Sequence, residues 1–151
     1  MICLTQVADF QIWTIQIMPK DLSNIIYQYK DTQFSWGELD CCVFTAKIVE
    51  EFWDKDLPKW KNVITYDNYR DAMKTLRKLG CKELLDLPSI ILDTPKKDIS
   101  QVKHGEPVYY INEKGIGILG ICNGIRAYFL QEGGGLTARL VKDCSYCWSV
   151  N

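Results

Sequence analysis

The spacing of apolar residues along this chain changes period once, at Pro107. Before that point apolar positions recur at helical intervals, and after it they alternate as they do in strands. Leu22, Ile25, Ile26 and Tyr29 form one stripe and predict a helix over Pro19 to Lys30, with proline in the permitted first turn. A second helix follows from Cys41 to Trp53. Cys41, Phe44, Ile48 and Phe52 share one of its faces, and Cys42, Ala46, Val49 and Trp53 share the adjacent one. Only Thr45, Lys47, Glu50 and Glu51 are left as a polar edge, so this helix is expected to be enclosed by other elements. Asp40 is its natural N-cap, because a short carboxylate can accept from backbone N–H groups one turn on. Asp54 to Tyr66 reads as a surface connection. A third helix starts from Asp67 with Tyr69, Ala72, Met73, Leu76 and Leu79 as its buried stripe and Gly80 as its C-cap. Leu84 to Gly105, with Pro88 and Pro95, reads as a long irregular connection holding a short helical piece at most.

Beyond Pro107 the strands are expected at Val108 to Ile111, Ile116 to Cys122, Ile125 to Leu130, Leu136 to Val141 and Trp148 to Val150. Asn112 to Gly115 forms one turn, Gly133-Gly134-Gly135 another, and Asn123-Gly124 predicts a type I′ hairpin. Helices first and an antiparallel meander second define an α+β domain with the sheet packed on the core helix.

Composition narrows the function. A chain of 151 residues with 47% hydrophobic residues can bury its own core as one domain. The net charge of −1 and a pI near 5.8 provide no footprint for nucleic acid or an anionic membrane. No apolar run reaches the length of a membrane span. Residues 1–17 contain Asp9 and three glutamines and lack the marks of a secretory signal. Met18 precedes the first helix, so 1–17 is expected to be an N-terminal extension, a strand or partner-binding arm carrying Phe10, Ile12, Trp13, Ile15 and Ile17, and 18–151 the single domain. The seven cysteines do not have the spacing of a disulfide scaffold and are expected to be reduced in a protein folded in a cytoplasm. Cys144 and Cys147 form the single CxxC, expected as packed core thiols. With His104 the only histidine, no metal site and no cofactor are expected.

The candidate chemistry sits at the start of the core helix. Trp36-Gly37 makes a turn, Asp40 follows, and Cys41 occupies the first helical position, where the positive end of the helix dipole favours thiolate. That stretch, with Gly105-Glu106-Pro107-Val108 opening the first strand and Gly115-Ile116-Gly117-Ile118 leading to Asn123-Gly124, resembles the NlpC-type branch of the papain-like cysteine peptidases. The resemblance covers residues 19 to 151. It implies a peptidoglycan- or amide-cleaving ancestry, with Cys41 in the nucleophile position. More closely, the chain is similar to a group of such domains encoded among tail genes of tailed phages and gene transfer agents. There the double cysteine Cys41-Cys42, the Gly135-Leu136 pair and the closing Cys144-to-Trp148 motif recur.

The same resemblance places Gly115 where the catalytic histidine belongs, and Tyr128 near the third polar position of the triad. A thiol nucleophile needs a base within hydrogen-bond reach, and glycine cannot be one. His104 lies before the first strand and Gly115 after it, roughly 20 Å apart at about 3.3 Å per residue. Cys41 without a base would rest on the helix dipole alone, opposed by Asp40, while Cys42 points into the core. Trp36 and Gly37 are expected as a lid over the helix start or as a substrate wall. The function expected is therefore a non-catalytic papain-like domain serving a phage tail tip or baseplate. It would be made in the host cytoplasm and carried in the virion, with other tail or baseplate proteins as partners through residues 1–17. The alternative is a cysteine hydrolase of cell-wall peptides using Cys41.

Overall fold

The computed structural model describes residues 21–61, 66–133 and 135–151. Its helices are α1 (Leu22–Tyr27), α2 (Cys41–Trp53), α3 (Pro58–Lys61), α4 (Tyr69–Lys78) and α5 (Leu87–Leu92). Its strands are β1 (Lys97–Asp98), β2 (Pro107–Ile111), β3 (Gly117–Asn123), β4 (Arg126–Gln131), β5 (Gly135–Leu140) and β6 (Tyr146–Cys147). The strands form one antiparallel sheet in the order β1-β6-β2-β3-β4-β5. The α+β class read from the periodicity holds, and the sheet lies on α2 through β3 and β4.

The amphipathic pattern explains the layers. Phe44, Ile48 and Val49 of α2 are wholly buried against Leu119, Ile121 and Leu130 on one face of the sheet. Each such side chain contributes about 1.5–3 kcal/mol by leaving water. The alternate residues Val108, Ile118, Cys122, Ala127 and Phe129 build a second, smaller core on the opposite face with Val141, Cys144 and Cys147. A sheet buried on both faces needs apolar residues at both parities, and β3 shows this as a nearly continuous apolar run.

Several boundaries differ from the sequence expectation. Asp21 caps α1 by accepting from the Ser23 N–H at 3.0 Å, so this helix begins at Leu22, and Pro19 lies outside the described residues. The stretch 54–66 is not merely a surface connection: α3 lies within it, and Leu57, Trp60 and Tyr66 are buried in the main core. Thr45, expected on the polar edge of α2, is buried, its hydroxyl donating to the Cys41 carbonyl at 2.7 Å. Tyr69, assigned to the buried stripe of α4, is 60% exposed because it lies at the helix start, beyond the core. The stretch 84–105 holds α5, with Pro88 in its first turn, and the short strand β1.

The hairpin between β3 and β4 is also shifted by one residue. Asn123 pairs with Arg126, leaving Gly124 and Ile125 as the two-residue loop, and only Gly124 has positive φ. Glycine at the first loop position is the signature of a type II′ turn, not type I′. The terminal strand falls at Tyr146–Cys147 because its backbone completes the ladders to β1 and β2. Trp148 follows as a fully buried core residue whose indole donates to Ser89 Oγ at 2.9 Å. The expected arm at 1–17 lies outside the described residues.

Candidate functional site

Residues 35–42 set the start of α2. Ser35 and Leu39 exchange backbone hydrogen bonds at 3.0 and 2.7 Å, pinching the Trp36-Gly37 turn between them. Gly37 has φ +79°, and a Cβ there would stand 1.8 Å from the Tyr66 carbonyl oxygen, so glycine is required twice over. Trp36 lies edge-on to Phe34 and to Tyr69, with ring centres 4.8 and 5.7 Å apart.

Asp40, 1% exposed, is the hub of this region. Its Oδ1 accepts from the Val43 N–H at 2.9 Å, the N-cap bond expected from sequence. Its Oδ2 accepts from the Gly37 N–H at 3.1 Å and from the Tyr66 hydroxyl at 2.6 Å. Burial, with the nearby Cys42 and Asp40 behind it, holds the Tyr66 phenol far above its ordinary range, so it remains a donor. One carboxylate thus ties the turn, the helix start and the segment before α4 together.

Cys41 is half-buried at the first turn, with its sulfur 4.0 Å from that of Cys42. The Cys42 thiol is pushed well up by that contact first and by burial second. It lines an apolar cavity of about 40 Å³ with Val49, Trp60, Leu87, Ile91 and Leu119. Cys42 is therefore a core thiol, as its position one residue past Cys41 suggested.

The other expected site residues lie apart. Gly115 belongs to an exposed turn closed by Asn112, whose side chain accepts from the Lys114 and Ile116 N–H groups. Its φ is +77°, and a Cβ built on it meets nothing within 4 Å. Tyr128 lines a groove of about 150 Å³ with Ser23, Ile26, Tyr27, Asn123 and Leu136, facing α1. His104 accepts from the Gly124 N–H at 3.2 Å and lies edge-on to Phe52, 5.7 Å between ring centres. Phe52 belongs to the far end of α2 from Cys41, about 16 Å along the axis at 1.5 Å per residue. His104 is thus a tether of the helix C-terminal end, alongside the Trp53 indole donating to the Gly105 carbonyl at 2.7 Å.

The three cysteines of the second core are packing groups. Cys122, Cys144 and Cys147 each give their thiol to a backbone carbonyl. Burial pushes Cys122 up to about 11 and Cys144 to about 12, and raises Cys147 as well. Among the described residues, no three His, Cys, Asp or Glu side chains converge as a metal set.

One buried phenol of the sheet was not singled out from sequence. Tyr109 of β2 is 8% exposed, and its phenol is raised by burial first, then by Glu83, Cys41 and Asp86. Its ring crosses the sheet face toward α2 and ends against Gly117, the first residue of β3. The sequence placed Tyr109 only within a strand; its reach across to β3 depends on strand register.

The sequence matches the family described as a domain of unknown function, DUF6950, over residues 14–150. The chain belongs to this family. No curated protein matches it. Among solved structures it is similar to the crystal structure of the NlpC/p60 domain of peptidoglycan hydrolase SagA. That match has 17% identity and a TM-score of 0.51, covering 85% of this chain and 96% of that one. At this identity the likeness shows the fold, which is that of an NlpC/p60 domain. The DUF6950 chain therefore carries a papain-like architecture with Cys41 at the head of its central helix.

Proposed function

We propose that this DUF6950 domain is a non-catalytic papain-like module that serves as a structural or adaptor part of a phage tail tip or baseplate. The observation that carries the first half is the surroundings of Cys41. Among the described residues, the polar side chains that meet this helix start are Cys42, Asp40 and Tyr66, and none of them is an imidazole. The single imidazole of the chain is committed to the far end of α2. The second half rests on the recurring motifs Cys41-Cys42, Gly135-Leu136 and Cys144-to-Trp148, with neighbouring tail proteins as partners, met through residues 1–17.

The catalytic half is tested by incubating the purified chain with peptidoglycan stem peptides. No cleavage is expected. Cleavage that Cys41→Ala abolishes overturns it and favours the second reading, a cysteine hydrolase of cell-wall peptides. The intact Asp40-Cys41 start of α2 is the observation on that side. The virion half is tested by mass spectrometry of purified tailed particles from a strain carrying the gene; particles lacking the chain overturn it.

A further inference from the structure

Cys41 and Cys42 open α2 with their sulfurs 4.0 Å apart. Both residues are half-buried, unlike Cys81, Cys122, Cys144 and Cys147, which the fold encloses. The CxxC pair, which spacing alone would favour as a chelate, is split by the fold. The Cys144 thiol goes to the Leu140 carbonyl of β5, and the Cys147 thiol to the Asp98 carbonyl of β1. The Cys41 and Cys42 sulfurs meet each other instead.

A metal–thiolate bond is about 2.3 Å long, so two sulfurs on one ion lie about 3.8 Å apart at a tetrahedral angle and about 4.6 Å apart at a linear one. The 4.0 Å gap falls inside that window with no movement of the helix. A disulfide would need the sulfurs at about 2.05 Å, and the α-carbons of adjacent residues, about 3.8 Å apart, are closer than disulfides normally span. The oxygens at this corner are spent. Those of Asp40 accept from Gly37, Val43 and Tyr66, and the Cys41 carbonyl accepts from Thr45. Among the described residues no third His, Cys, Asp or Glu joins the pair, which leaves it short of the four-ligand shell of a structural zinc. We propose that Cys41 and Cys42 form a two-thiolate site for a soft monovalent cation, Cu(I). Thiolates select such an ion over hard cations. The positive end of the α2 dipole favours the thiolate form that both ligands must take. Binding is ligand exchange without electron transfer: two Cu–S bonds form, each thiol releases its proton to solvent, and the copper stays Cu(I).

The test adds Cu(I), kept reduced with ascorbate under nitrogen, to the full chain and titrates with bathocuproine disulfonate, whose coloured copper complex reports the metal withdrawn. The parent is expected to hold one Cu(I) per chain against the chelator, with two sulfur neighbours in X-ray absorption. Changes outside the ligand shell already cost metal sites about 10–100-fold, so Cys41→Ser and Cys42→Ser are each expected to weaken binding by more than about tenfold. Cys3→Ser, and Cys144→Ser combined with Cys147→Ser, are expected to leave it unchanged. Circular dichroism checks that each variant folds; should Cys42→Ser fail, Cys42→Ala keeps the apolar lining and takes its place. The inference is overturned if the chelator strips the parent as readily as the folded Cys41→Ser variant. Copper lost with the Cys144 and Cys147 thiols overturns it too, as does a chain that holds Zn(II) and not Cu(I). Copper binding needs no turnover, so cleavage of peptidoglycan peptides by the parent would sink the non-catalytic reading and leave this test separately readable.

Discussion

Asp40→Ala is the substitution that the geometry prices most directly, since three bonds end on one buried carboxylate. Losing the cap at Val43 costs about 1 kcal/mol. The Tyr66 hydroxyl, in a residue 6% exposed, is then left without an acceptor, at about 1–3 kcal/mol for a buried orphan. Together these give about 3 kcal/mol, or roughly 6–12 °C in Tm for a chain of this size. Tyr66→Phe alone removes one bond and costs about 1 kcal/mol. In the double variant the orphaned hydroxyl no longer exists, so the two losses must not add. Urea unfolding of the four proteins should show a coupling of about 1 kcal/mol or more. The reasoning fails if the losses are additive within about 0.3 kcal/mol, which would mean that Asp40 stabilises α2 without Tyr66.

Gly37→Ala and Gly115→Ala both force alanine to positive φ, at a cost of about 1 kcal/mol. Only at Gly37 does the new methyl also strike a backbone carbonyl, so thermal melts should show Gly37→Ala far more damaging than Gly115→Ala, and equal losses would contradict the turn geometry. The raised thiols of Cys122 and Cys144 make stability fall with alkaline pH. Between the ordinary 9.0 and about 11–12 the unfolded chain has lost thiol protons that the folded chain still holds. Stability from this source is whole below about pH 9 and drains as pH rises toward those values. Urea midpoints measured across that window should decline less steeply in Cys144→Ala than in the parent; equal slopes would refute the linkage.

The second core shows why some of the candidate chemistry was misplaced from sequence. Cys144 and Cys147 could be recognised as packing thiols because their spacing lacked a second ligand pair, and their burial agrees. Cys122 joins them only through the ladder that brings β3 beside β2 and thence β6. Likewise the β3–β4 turn was located to within one residue by Asn123-Gly124, but which two residues form the loop depends on the pairing of Asn123 with Arg126.

The sequence by itself determined the α+β order, the enclosure of α2, the Asp40 cap and the isolation of His104 from Cys41. All of these follow from local rules: a helical or alternating period, a capping side chain next to a helix start, and the fixed rise of helix and strand. The tertiary structure alone decided the contacts between distant elements. Tyr66 reaches Asp40 from the segment before α4, and Tyr109 reaches Gly117 across two strands. Neither contact has a sequence signature, because each depends on register and on the packing of elements distant in the chain.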